Sequence, residues 1–230
     1  MFQEEQISII VVTVILGLAF WKIGQVISGL DGKKKPNRLA VAVIEFVKFI
    51  RNYTISSMGE RYGKVFSVYI GSIFIYILVS NVSGLFGLTA PTTNFSVTLL
   101  LALITWLSIE IVKLRENGVK GYFKTFIEPM PLFLIPNVLS EISPLISLSL
   151  RLFGNILSGS VIMSLFYVFT SWLSDFVPLI GGFNFVGVVV APILHLYFDL
   201  FAGFIQAYLF ISLTIIFIGM ETPREDSIKN

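Results

Sequence analysis

Apolar residues run through this chain in blocks longer than a globular core needs, with short polar stretches between them. An α-helix needs about 20 apolar residues to cross a bilayer. On that measure the pattern predicts five spans, at about residues 7–29, 65–88, 94–112, 137–173 and 184–220. A further segment, about 39–53, is helical in pattern but different in kind. Val43, Phe46, Val47 and Ile50 share one face, and Glu45, Lys48 and Asn52 the other, which predicts an amphipathic helix at the membrane interface.

The last two blocks are unusually long. About 35 residues of helix rise roughly 52 Å, against a hydrocarbon core of about 30 Å. Their ends are apolar, so steep tilt or a kink is expected, with Pro144 and Pro192 as kink sites. The expected fold class is therefore an all-α membrane protein. It has five transmembrane helices plus one interfacial helix, the last two spans long and steeply tilted, in a single polytopic domain over residues 1–230.

Composition agrees: 55% of residues are hydrophobic and 13% charged, which excludes an ordinary soluble domain and a disordered one. The net charge of +2 is small, so the placement of charge carries the information. Lys and Arg concentrate in residues 30–64 and 113–124, while in the alternate loops Asp175 is the only charged residue. Five crossings put both basic regions on the side of the polar tail, Glu221 to Asn230, so the N-terminus is expected outside and the C-terminus in the cytoplasm. The opening Met-Phe-Gln-Glu-Glu-Gln is acidic and a poor start for a signal peptide. With no Cys, disulfide and thiolate chemistry are excluded. No Walker-type Gly-rich loop occurs, so nucleotide chemistry must reside elsewhere. No cofactor, metal or nucleic-acid partner is expected, and the bilayer itself is one partner.

Ionisable residues at membrane depth are costly and point to function. The fourth span carries Ser147, Arg151, Asn155 and Ser158, spaced to form one stripe, with Arg151 near mid-helix. The alternative for Arg151 is an internal salt bridge that pins two helices. The fifth span carries His195, Asp199 and Gln206 at spacings of four and seven, again one expected face, and His195 is the only His. The alternative there is a purely structural His. The topology places Glu141, Ser143 and Ser147 on the cytoplasmic side of Arg151. Asn155 and Ser158 lie on its outer side, as do His195 and Asp199 relative to Gln206. Glu110 either joins the inner set or is a solvated interfacial carboxylate.

Arg cannot carry protons, because its pKa exceeds about 12. It can act on a carboxylate that passes it. At about 4 Å and an effective dielectric near 20 the attraction is roughly 4 kcal/mol. At about 1.36 kcal/mol per pKa unit, that lowers the acid by up to about three units. A fixed cation between two half-channels would discharge a carrier carboxyl group and also block a straight proton leak. That carboxylate must come from a partner.

The segment Leu148-Ser149-Leu150-Arg151-Leu152-Phe153-Gly154-Asn155 resembles the signature of subunit a of bacterial F-type ATP synthases. Gln206-Ala207-Tyr208 with Leu213-Thr214 resembles that family's last helix. Pro91-Thr92-Thr93-Asn94 and Ser80-Asn81-Val82-Ser83-Gly84-Leu85 resemble the segments around its second and third spans. The short N-terminus and residues Pro136 to Glu141 look most like Gram-positive or related versions.

The resemblance implies an ion-translocating subunit of a bacterial plasma membrane, not itself a catalyst of nucleotide chemistry. It implies a partner ring of c subunits bearing essential carboxyl groups, peripheral-stalk b subunits and the remaining synthase subunits. It also implies that Arg151 faces the ring, with Asn155 and Gln206 beside it. Three other readings stand beside it. One is a secondary transporter holding an anionic substrate at Arg151, against which no inverted repeat is visible. The others are a stator of another ion-driven motor and a structural scaffold.

Two positions are set against the family pattern. Nine residues after Arg151, where many members carry an acid or His, this chain has Ser160; seven before Gln206, where many carry His or an acid, it has Asp199, with His195 one turn earlier. If the His195–Asp199 pair serves the outer path, Asp199→Ala slows proton flux into vesicles far more than Ser160→Ala. Equal, small effects would overturn that assignment.

Overall fold

The structure is a computed structural model that describes residues 4–28, 38–174 and 184–223. Most of the basic loop at 30–38, Asp175 with the Pro178–Gly182 loop, and most of the polar tail lie outside the described residues. The elements in order are α1 (Glu4–Ser28), α2 (Arg38–Val82), two short 3-10 turns (Ser83–Phe86 and Pro91–Thr93), α3 (Phe95–Ile127), a 3-10 turn (Pro131–Phe133), α4 (Leu134–Ser174), α5 (Phe185–His195), a π-helical stretch (Leu196–Ala202) and α6 (Gly203–Met220). Five helical segments are long and apolar enough to cross a membrane. The fold is that of an all-α membrane protein.

The packing matches a lipid solvent. Phe86, Leu132 and Val68 are each more than 70% exposed, while Thr54, Thr92, Thr98, Thr105 and Thr214 are fully buried. In lipid, apolar side chains gain nothing by turning inward, so small and hydroxylated residues take the helix contacts. Thr54, Thr105 and Thr214 each satisfy their hydroxyl on a carbonyl one turn back in their own helix. The core joins α2, α3, α4 and α6 through Ile70, Ile77, Leu148, Leu152, Phe210, Ile211 and Ile215.

Two glycine reversals redraw the expected boundaries. Gly59 has φ 74°, ψ 172° and divides α2 into limbs 38–58 and 60–82. The limbs fold back on each other: Phe46 meets Phe74 with ring centroids 5.9 Å apart, and Thr54 Oγ1 donates to the Gly63 carbonyl at 3.1 Å. The face carrying Phe46 and Ile50, expected at the interface, rests on the second limb. A hydrophobic face is covered by whatever apolar surface the chain brings to it, and a reversal at Gly59 brings the next helix.

Gly118 (φ 65°, ψ 169°) does the same to α3. The expected polar loop at 113–124 is therefore helical, because its second limb carries Tyr122 and Phe126 back against Lys113. Both hinges meet where Tyr62 Oη donates to Glu116 and Arg61 pairs with it at 3.6 Å.

A third junction lies toward the other end of α2. Thr92 Oγ1 donates to Asn81 Oδ1 at 2.8 Å, and Asn81 Nδ2 donates to the Gly203 carbonyl at 3.1 Å. Both side chains are buried. The segments containing Asn81 and Thr92 thus meet each other, and together they hold α6 where it emerges from the π-helical stretch.

The backbone at Gly59 lies where a Cβ is strained by about 1–3 kcal/mol. Gly59→Ala should therefore lower the melting temperature of the purified complex. Gly17→Ala should not, since a Cβ there meets nothing within 4 Å and Ala favours the helix. Equal melting temperatures for the two variants would mean that the Gly59 reversal is not required.

Candidate functional site

Arg151 sits on α4 between Leu148 and Leu152, both fully buried, and is itself half-buried. Its Nη2 donates to Ser147 Oγ at 3.3 Å, one turn back along the expected stripe. No carboxylate pairs with it among the described residues. The pinning salt bridge considered from sequence is thus absent among those residues.

Toward the start of α4, Glu141 is held by Lys113, whose Nζ lies 2.5 and 2.6 Å from its two carboxylate oxygens. Trp106 Nε1 donates to the Glu141 carbonyl at 2.8 Å. Tyr122 Oη donates to Glu110 Oε2 at 2.7 Å, while Glu110 Oε1 is buried with no hydrogen-bond partner among the described residues. Lys113 is buried and lies 5.9 Å and 5.6 Å from the ring centres of Tyr122 and Phe126. Glu110 therefore joins Glu141 and is not a freely solvated carboxylate. Just beyond α6, burial pushes the Glu221 carboxyl up; Lys113 opposes that and Glu141 adds to it. The ends of α3 and α6 and the start of α4 thus share one polar centre.

At the other end, His195 Nδ1 lies 2.8 Å from Asp199 Oδ2, and His195 Nε2 lies 3.0 Å from Tyr167 Oη. Asp199 approaches the backbone of the 3-10 turn Ser83–Phe86, where a Cβ built on Gly84 would be 3.8 Å from its carboxyl carbon. The pair forms at the entrance to the π-helical stretch, in which Asp199 lies. Wide π turns are frequent at functional sites. They also break the α-helical count on which a common face for Asp199 and Gln206 was expected.

Gln206 is buried, and its Nε2 has no acceptor among the described residues. Asn155 is half-buried, and Ser158 and Ser143 are exposed; none of the three makes a side-chain hydrogen bond among the described residues. Ser160 is exposed and turns its hydroxyl back to the Leu157 carbonyl.

Along α4, Glu141 stands ten residues before Arg151 and Tyr167 sixteen after it, a rise of about 15 Å and about 24 Å. Two hydrogen-bonded groups thus occupy opposite ends of the bundle, with one cation between them. Spacing along the sequence missed Tyr167, Lys113, Tyr122 and Trp106. Tyr167 lies about 160° around the helix from Arg151 at 100° per residue, so a stripe drawn from the Arg passes it by. Lys113 counted only as a loop charge.

Helices that expose apolar surface, bury hydroxyls and are long and apolar enough to cross a membrane define a polytopic all-α membrane protein. The model of the family "ATP synthase A chain" matches residues 6–219. The ATP synthase subunit a of Streptococcus agalactiae serotype III is 34% identical over 95% of this chain and 90% of its own length. The sodium-ion-specific ATP synthase subunit a of Propionigenium modestum is 33% identical over 75% of this chain and 61% of its own. That of Mycoplasma genitalium is 36% identical over 72% and 61%. The chain belongs to the ATP synthase A chain family: it is an ion-translocating membrane component of an F-type ATP synthase.

Breaking a buried ion pair costs more than replacing it whole. Lys113→Met should destabilise the purified complex by about 3–5 kcal/mol, read as a fall in melting temperature. Lys113→Met with Glu141→Leu should recover most of that loss. A double variant no better than the single one would show that the pair is not the stabilising unit.

Proposed function

We propose that the chain carries protons between two offset half-channels that meet at Arg151. The carriers are carboxyl groups of a c-subunit ring turning past that residue. The inner path uses Glu110, Glu141, Ser143 and Ser147. The outer path uses His195, Asp199, Asn155, Ser158 and Gln206. The single observation behind this reading is that, among the described residues, the half-buried guanidinium of Arg151 has only the neutral Ser147 hydroxyl as a partner. A charge in that setting costs several kcal/mol unless something outside the chain answers it. A passing carboxylate would be discharged by it, and a proton would be repelled.

The resemblance to F-type subunits supports the rest of the assembly: peripheral-stalk b subunits, the other synthase subunits and a bacterial plasma membrane. Orientation follows from the positive-inside rule, with the N-terminus outside and the C-terminus cytoplasmic. α4 has 41 residues and would rise about 61 Å, twice the ~30 Å hydrocarbon layer. With α5 and α6 it would therefore lie steeply tilted along the ring. Nucleotide chemistry belongs to the other subunits. The hydrogen-bonded Tyr167–His195–Asp199 chain favours the proton over sodium, because it offers hydrogen-bond donors where a metal cation needs a cage of oxygen ligands.

The test is the complex reconstituted into vesicles. Arg151→Ala should abolish coupled ATP synthesis and ATP-driven acidification, with the c ring still copurifying. Wild-type acidification should be the same at micromolar and millimolar sodium. Retained coupling in Arg151→Ala, or acidification that requires sodium, would overturn the corresponding half of the proposal.

A further inference from the structure

We propose that Tyr167 is a positioning residue of the outer path, holding His195 so that its ring serves Asp199 in both of its protonation states. The inference rests on the outer-path reading above and adds to it a residue from the facing helix.

The atoms dictate the roles. An ionised carboxylate only accepts, so the Nδ1 that faces Asp199 Oδ2 at 2.8 Å carries its hydrogen. In the neutral ring Nε2 is then a bare acceptor, and the Tyr167 hydroxyl at 3.0 Å donates to it. When the ring gains a proton, Nε2 becomes a donor, and the same hydroxyl oxygen accepts by rotating its own hydrogen. A carbonyl could serve only the charged ring and an amide N–H only the neutral one. A hydroxyl serves both without moving a heavy atom, so His195 can change charge while Nδ1 stays on Asp199.

The scaffold holds that hydroxyl in place. Asn184 caps α5 by accepting from the Gly187 N–H at 2.8 Å. Its Nδ2 donates to Thr170 Oγ1 at 3.0 Å and reaches the carbonyl of Tyr167 itself at 3.4 Å. Ser174 Oγ approaches Asn184 Oδ1 at 3.5 Å. One side chain thus fixes the start of α5 against the turn of α4 that carries Tyr167. Eleven residues on from Asn184, His195 closes α5 against the same tyrosine. The three side chains are partly exposed: Tyr167 is 41% exposed, with His195 at 38% and Asp199 at 26%.

Tyr167→Phe removes the hydroxyl and keeps the ring. The experiment uses the whole complex in two preparations: vesicles with the cytoplasmic face outward for transport, and the detergent-solubilised complex, whose outer face meets the reagent, for acylation. It measures ATP-driven acidification and the rate at which diethyl pyrocarbonate acylates His195, read by mass spectrometry on the one His-containing peptide of this chain. Expected results for Tyr167→Phe are acidification reduced at least five-fold, intact c-ring copurification, and acylation at least two-fold faster, because Nε2 has lost its donor. Tyr167→Phe with wild-type acidification and acylation would overturn the inference, as would slowed transport with unchanged acylation, which would mark a merely structural role. Asp199→Asn separates the two levels. If it transports normally, the outer-path reading itself fails; if it is impaired while Tyr167→Phe is normal, only the role of Tyr167 falls.

Discussion

A guanidinium that cannot lose its proton is placed on a helix whose neighbours are leucines. Arg151 keeps its charge at any accessible pH, and Leu148 and Leu152 beside it are fully buried. Among the described residues the chain supplies one neutral hydroxyl in return. Much of the remaining architecture serves that condition. α4 is long enough to carry polar groups on both sides of the charge, and α5, the π-helical stretch and α6 run against it. The ionisable groups are kept at the two ends, where neither set compensates the Arg.

The two ends are built on different principles. The Glu141 end is compact and mutually compensated: Lys113 grips one carboxylate and lies by the ring of Tyr122, which is bonded to the other carboxylate. The His195 end is a linear chain of single hydrogen bonds through three partly exposed residues. A compensated cluster stores charge near one place, whereas a linear chain passes hydrogen-bond polarity along. Between them, Asn81 and Thr92 pin the junction of the π-helical stretch with α6, three residues before Gln206. Among the described residues the buried amide of Gln206 has no acceptor within reach of Nε2. A cost of about 1–3 kcal/mol for an unmet buried donor is one that proteins bear mainly at sites of function.

Much of the fold was legible because lipid imposes a simple rule. Apolar length reports a crossing, and in the described residues every expected span has its helix. The reversals at Gly59 and Gly118 were not legible. A glycine in a helical pattern reads as a small loss of propensity, and only packing reveals whether its freedom is used to turn the chain. The same limit hid Lys113, which counts as a loop charge until the limb after Gly118 folds back over it. In the candidate site, partners one turn apart on one helix were within reach: Ser147 with Arg151, and His195 with Asp199. Tyr167 was not, because its partner lies on another helix and its own angular position gives no sign of it.

The sequence by itself determined an all-α membrane protein with five helices long enough to cross, the place of the permanent charge along the fourth, and which ionisable groups precede and follow it in the chain. These follow from length, periodicity and the cost of burying charge, all of which are properties of short stretches of chain. Tertiary structure alone decided which groups touch: Lys113 with Glu141, Tyr167 with His195, Asn81 with Thr92 and the backbone of Gly203. Those contacts depend on how helices separated by tens of residues are rotated and set in register. That is fixed by close packing at glycines, threonines and caps, which no local pattern encodes.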